Sequence, residues 1–157
     1  MPGHATLGDM QPNRIERLTA DDIEQARELF LLMADVFETD SQPLSGDYLA
    51  RLLARGDFWA FAAFVDGRIA GGLTAHTLPL TRIEESEVFI YDIAVMPQYQ
   101  RRGLGRQLVT ALRTQAAANG INVVWVPADN EDTHALDFYR ALDGVPAPVT
   151  IFTFSAT

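Results

Sequence analysis

Apolar and polar positions follow two rhythms along this chain, and the changes of rhythm mark its elements. Ile23, Ala26, Leu29, Phe30, Met33 and Phe37 recur at helical spacing, which puts one apolar stripe on a long helix. Thr19, with Asp22 three residues on, has the pattern of a capping box and is the expected N-cap. A short strand over 14–18 precedes this helix. Turn-forming residues over 42–46 separate it from a shorter helix over 48–53. The next stretch changes character: 58–65 is aromatic and aliphatic, Asp66-Gly67 is a hairpin dipeptide, and 68–78 is the returning strand. The strongest strand pattern lies over 88–95. Leu104, Leu108, Leu112 and Ala116 then share one face of a helix over 103–119, which Asn119-Gly120 ends. A buried strand over 123–126, a short helix over 134–142, a break over 144–148 and a last strand over 149–154 complete the chain. Residues 1–13, polar with Gly and Pro, read as a flexible leader. The remainder, 14–157, reads as one domain of α/β (α+β) class with no internal repeat.

Composition narrows the chemistry. The 157 residues contain no cysteine, so disulfides, thiolate metal sites and a cysteine nucleophile are excluded. The net charge of −9 lacks the basic surplus of a nucleic-acid binder. No apolar run is long enough to cross a bilayer, and no basic-then-apolar leader marks a secretory signal, so a cytoplasmic location is expected. His4, His76 and His134 lack metal-ligand spacing, and no metal is expected.

The candidate chemistry sits between the strand over 88–95 and the following helix. Gln100, Arg101, Arg102, Gly103, Leu104 and Gly105 join the two. A helix's first turn carries unpaired N–H groups and partial positive charge, glycine admits a close approach, and arginines neutralise phosphate. By residue types alone this is also a strand–turn–helix with glycines needed for packing. It is not a P-loop, because the Gly-Lys-Ser/Thr ending is missing.

Gln100-Arg101-Arg102-Gly103-Leu104-Gly105 resembles the acyl-CoA signature of the GNAT superfamily, Gln/Arg-x-x-Gly-x-Gly/Ala. The preceding Asp92-Ile93-Ala94-Val95, Pro97 and the downstream Ala135-Leu136-Asp137-Phe138-Tyr139 are similar to that family in spacing and order. The resemblance implies a mixed, mostly antiparallel sheet, splayed at the acyl-CoA site and flanked by helices. It implies acetyl-CoA as co-substrate. The backbone of Ile93, Ala94 and Val95 would bind the pantetheine arm, and the segment from Gln100 to Gly105 would hold the pyrophosphate. Tyr139 would protonate the leaving thiolate, which an acid beside the leaving group must do; the alternative for it is a packed aromatic on a short helix. Two positions depart from the pattern. Asp143 stands where the family usually has Gly, with Gly144 following, so the local turn is expected to shift by a residue. Asp132 stands where Asn is usual.

Direct transfer needs a neutral amine, and a carboxylate can take the proton. Asp92, in an otherwise apolar strand, is the candidate base, or else a paired structural carboxylate. Glu85, Glu87, Asp129, Glu131 and Asp132 lie in loops near the same strand ends and would bind a polycation. Asp47-Tyr48-Leu49, Phe61-Ala62-Ala63-Phe64, Ile90-Tyr91-Asp92-Ile93-Ala94-Val95 and Ala128-Asp129 are similar to the type I aminoglycoside 3-N-acetyltransferases. That likeness implies an aminoglycoside acceptor, acetylated on the 3-amino group of deoxystreptamine, and a homodimer with 149–154 as a contact strand. An acetyltransferase for polyamines, peptides or other small amines, and a CoA-binding module without turnover, are the alternatives.

Overall fold

The structure is a computed structural model and describes residues 11–157. The expected leader falls mainly on 1–10, outside the described residues. Two compact units are distinguished, Met1–Val126 and Pro127–Thr157.

In the larger unit the β rhythm builds a meander. Strands β1 (Arg14–Arg17), β2 (Phe58–Val65), β3 (Arg68–Pro79) and β4 (Ser86–Val95) pair antiparallel in that order, and β5 (Val124–Trp125) joins β4 in parallel. The β2–β3 turn closes as the dipeptide requires, with Asp66 at φ 49° and Gly67 at φ 76°.

Directly opposed residues on neighbouring strands share a face of the sheet. One face therefore carries Phe58, Ala60, Ala62 and Phe64. Helices α1 (Ile23–Val36) and α2 (Gly46–Leu53) cover it through Ala26, Leu29, Met33, Leu49 and Leu53, all buried with that face in one cluster. The other face carries Trp59, Phe61 and Leu73 and packs against α3 (Leu104–Ala118), whose Leu104, Leu108, Leu112 and Ala116 are buried. Trp59 is satisfied there by a 2.8 Å bond from its indole N–H to the Thr77 hydroxyl. Gly71 and Gly72 sit where β3 meets its neighbours most closely: an added Cβ would lie 2.4 Å from the Ala94 carbonyl oxygen at Gly71 and 2.4 Å from Leu29 Cδ1 at Gly72.

Several expectations need correction. Asp22, not Thr19, is the residue before α1; its carboxylate accepts from the Thr19 backbone N–H at 2.8 Å, so half of the capping box exists as a turn ahead of the helix. The strand expected over 123–126 is only two residues of ladder and is not buried, with Val123 53% and Trp125 41% exposed. Such a short strand lies at the sheet's edge and has one neighbour.

In the smaller unit, α4 (Thr133–Ala141) forms as expected, but no strand forms over 149–154. Val149, Ile151, Phe152 and Phe154 are at least 74% exposed. β-branched and aromatic residues favour a strand only when another strand supplies hydrogen bonds. The turn after α4 does not shift either. Asp143 itself takes the left-handed conformation (φ 65°), and Gly144 N–H bonds back to the Tyr139 carbonyl at 2.9 Å.

Candidate active site

A pocket of about 460 Å³ opens on the α1/α2 face of the sheet. Phe30 and Met33 of α1, Phe37 just after its end and Tyr48 of α2 form one side, and Phe58, Thr74, His76 and Asp92 form the sheet side. Asp92 is the only carboxylate among its lining residues. It reaches this face through a β-bulge. Thr74 opposes Asp92 while Ala75 opposes Ile90, so Tyr91 is an extra residue on β4. Phe89 opposes His76 and shares its face, and the Tyr91 ring lies 6.0 Å from His76 and 5.7 Å from Phe89. Tyr91 and Asp92, adjacent in sequence, therefore both project to the pocket face. Half-buried among rings, Asp92 is held above the ordinary carboxylate range by burial.

The far edge of β4 is open from Ile90 onward, through Asp92 and beyond. β5 pairs with β4 only at Val88 and Phe89, and 90–95 has no β5 partner. Ile93, Ala94 and Val95 thus present backbone on an unladdered edge, the position at which an extended ligand can add as a strand. The Gln100 side-chain amide donates to the Val95 carbonyl at 2.9 Å and ties the following loop to this strand end.

That loop has the shape of an anion cradle. Arg101 at φ 63° and Gly103 at φ 80° turn the chain into α3, whose N-terminus has no side-chain cap. Helix N–H groups not met by a side chain point outward with the positive end of the dipole. Arg101 and Arg102 are exposed beside them, and Arg102 lies over the Tyr99 ring at 5.5 Å. The open β4 edge and the uncapped, glycine-led helix start suit an amide-rich arm carrying a pyrophosphate, as acyl-CoA does.

In the smaller unit, Asp132 caps α4, accepting from Ala135 N–H at 3.0 Å. Tyr139 is half-buried, and burial followed by the Asp132 charge pushes its hydroxyl up to about 12. Its ring meets Phe138 edge-on at 5.2 Å. Asp129 accepts from Glu131 N–H at 2.9 Å within a turn. Of the expected acceptor-binding acids in the larger unit, Glu87 opposes Leu78 and so shares the pocket face, whereas Glu85 lies in the β3–β4 turn, its carbonyl accepting from Leu80 N–H at 2.9 Å. Neither lines the pocket.

Sequence reasoning missed the aromatic wall. Phe30 and Phe37 read as core positions of α1 because a pocket-facing stripe and a core-facing stripe have the same period. Phe37, 46% exposed, shows the difference only once α2 is placed. Among the described residues no group of His, Asp or Glu could hold a metal ion, and no helix is long and apolar enough to cross a membrane.

The chain belongs to the Acetyltransferase (GNAT) family, whose pattern matches residues 22–143. An aminoglycoside acetyltransferase from an uncultured soil metagenomic sample, solved with trehalose and with sisomicin, is 33% identical over 92% of this chain and 97% of its own, with a TM-score of 0.88. A second soil metagenomic aminoglycoside acetyltransferase is 32% identical over 94% of this chain and 100% of its own, with a TM-score of 0.87. The [ribosomal protein bS18]-alanine N-acetyltransferase of Salmonella typhimurium is 32% identical over 63 residues, which are 40% of this chain and 43% of that protein. The match thus spans less than half the length of that curated relative.

Proposed function

We propose that this acetyltransferase transfers an acetyl group directly to an amine of an aminoglycoside, the 3-amino group of the deoxystreptamine ring. The observation that carries this reading is the position of Asp92. It is a lone carboxylate in an aromatic-walled pocket, on the part of β4 that β5 does not pair. A cationic amine is drawn to that carboxylate, and the raised proton affinity of Asp92 makes it a better base for the ammonium proton. The likeness to soil aminoglycoside acetyltransferases over nine-tenths of the chain supports the acceptor class.

Ile93, Ala94 and Val95 bind the pantetheine arm, and Gln100, Arg101, Arg102, Gly103, Leu104 and Gly105 form the pyrophosphate loop. When bound, acetyl-CoA supplies the activated acyl group. Tyr139 serves the leaving sulfur. A hydroxyl at about 12 stays protonated at neutral pH. Full transfer to a thiolate, whose conjugate acid lies at about 8.5, is uphill. Tyr139 therefore acts mainly as a hydrogen-bond donor to the developing charge. Glu85, Glu87, Asp129, Glu131 and Asp132 contribute the field that attracts a polycation. The exposed apolar run over 149–154 supports a homodimer built on that segment, and the protein works in the cytoplasm.

The partial match to ribosomal-protein alanine acetyltransferases favours a second reading, acetylation of a peptide amine. Thiol release from acetyl-CoA, measured with gentamicin, spermidine and a mixed peptide pool, separates the two. Fast release with gentamicin alone is expected. Release only with peptides or spermidine would overturn the aminoglycoside reading.

A further inference from the structure

Beyond the amine pocket, the same face of the sheet carries a continuous row of rings. Phe30 meets Phe58 at 6.5 Å between centroids, Phe58 meets His76 at 5.4 Å, and His76 meets Tyr91 at 6.0 Å. Tyr91 meets Phe89 at 5.7 Å, and Phe89 stacks on Trp125 at 4.6 Å with 23° between planes. The row crosses β2, β3, β4 and β5. Its first three members line the pocket, and its outer members are open, with Tyr91 62% and Trp125 41% exposed. Exposed rings in contact with one another on a sheet face form an apolar strip of the kind that marks a binding surface. The arginine–ring contacts at Phe64, Trp59 and Tyr99 involve none of these rings.

Charge says what covers the strip. On β4, Glu87, Phe89, Tyr91 and Asp92 all present to this face, Asp92 through the bulge. The strip is thus bracketed by carboxylates, about 13 Å apart by the rise of a strand. Ring faces between carboxylates fit a ligand that is itself made of flat-sided rings bearing ammonium groups. The C–H face of a sugar or aminocyclitol ring lies on an aromatic face, and ammonium groups at its edge meet carboxylates and ring quadrupoles. A linear polyamine has charges but no face, and a peptide amine brings a single terminal charge.

We propose that the strip running from His76 to Trp125 is a second acceptor subsite, which stacks one ring of a multi-ring aminosugar while another ring delivers its amine to the pocket at Asp92. Glu87 pairs with an ammonium group on the outer ring. This deepens the aminoglycoside reading and rests on it.

The chain's two tryptophans make the test direct. Trp59 is 3% exposed and Trp125 is open, so acrylamide quenching of tryptophan emission reports Trp125. Quenching is measured with sisomicin, with single-ring 2-deoxystreptamine and with spermidine, beside thiol release for each. Saturable protection by sisomicin, with little from spermidine, is expected. Trp125→Leu should lower the ratio of kcat/KM for sisomicin over 2-deoxystreptamine about tenfold, and Glu87→Gln should lower it about threefold. Glu87→Gln keeps the proposal testable should β5 not tolerate Trp125→Leu. Sisomicin turnover without protection, and with the ratio unmoved in both variants, would overturn the subsite and leave the aminoglycoside reading standing. Turnover of spermidine alone, with no protection by sisomicin, would overturn both.

Discussion

Replacing Gly71 with Ala tests whether the β3–β4 contact sets the geometry of the strand proposed to bind the cofactor. Gly71 opposes Val95, and an added Cβ would stand 2.4 Å from the Ala94 carbonyl oxygen and 2.9 Å from Val95 Cα. Ordinary contact begins at 3.4 Å, so about 1 Å of separation is missing (3.4 − 2.4). Both obstacles are backbone, which cannot swing aside as a side-chain tip does. The strands must part at Ala94 and Val95, two of the residues assigned to the pantetheine arm. Overpacking of this kind costs about 1–3 kcal/mol of stability. A misplacement of about 1 Å near reacting groups can cost on the order of 100-fold in rate. Gly71→Ala should therefore lower Tm by several degrees and weaken CoA binding at least tenfold, read by differential scanning fluorimetry and isothermal titration calorimetry. Gly56→Ala is the control, because nothing lies within 4 Å of its added Cβ. A Gly71→Ala protein that binds CoA within twofold of wild type at unchanged Tm would refute the reasoning.

Further outcomes follow from three single groups. Asp92→Asn should reduce kcat on the amine acceptor by about 100-fold or more, while raising Tm at pH 7. Burial raises the proton affinity of Asp92 in the fold, so its stabilising contribution is present at low pH and lost as pH rises through its raised pKa; the Tm advantage of Asn should shrink on acidification, and an equal advantage at every pH would be inconsistent. Tyr139→Phe should lower kcat by about 100-fold with CoA affinity changed less than about threefold, and unchanged turnover would remove Tyr139 from the mechanism. Because its hydroxyl lies at about 12 in the fold against 10.0 ordinarily, wild type should lose stability between those values in an alkaline titration, and the Phe variant should lack that loss. Asp143→Gly relieves a left-handed residue that has a Cβ at the end of α4 and should raise stability by about 0.5–1 kcal/mol in chemical denaturation.

Local signals carried far in this chain. The Asp66-Gly67 turn, the stripe of α3 and its Gly120 end, where Ile121 N–H reaches the Ala116 carbonyl at 2.9 Å, are each dictated by a few neighbouring residues. The strand-to-helix turn with its glycines was legible for the same reason, whereas the open edge of β4 followed only from the resemblance to a family. The pocket was not, because its walls come from α1, α2 and three strands, and no local pattern says which apolar stripe faces a cavity. Nor was the bulge. A regular two-residue alternation would set Asp92 with Ile90 on the face toward α3, and no residue type near Tyr91 announces the extra position. The run over 149–154 was misread for the opposite reason: its composition favours a strand, but a strand exists only where another one accepts its hydrogen bonds.

The bulge on β4 also bears on how such a site can change over generations. Phe89 and Asp92 keep the faces dictated by His76 and Thr74, while Tyr91 has no opposite number of its own. A chain lacking Tyr91 would leave every other β4 side chain on the face it now occupies and restore plain alternation. Gain or loss of this one codon therefore adds or removes an aromatic group at the mouth of the pocket without redrawing the core beneath it. The proposed acceptor surface can diverge by insertion and deletion as well as by substitution, while the proposed cofactor edge, which begins two residues on at Ile93, stays in register.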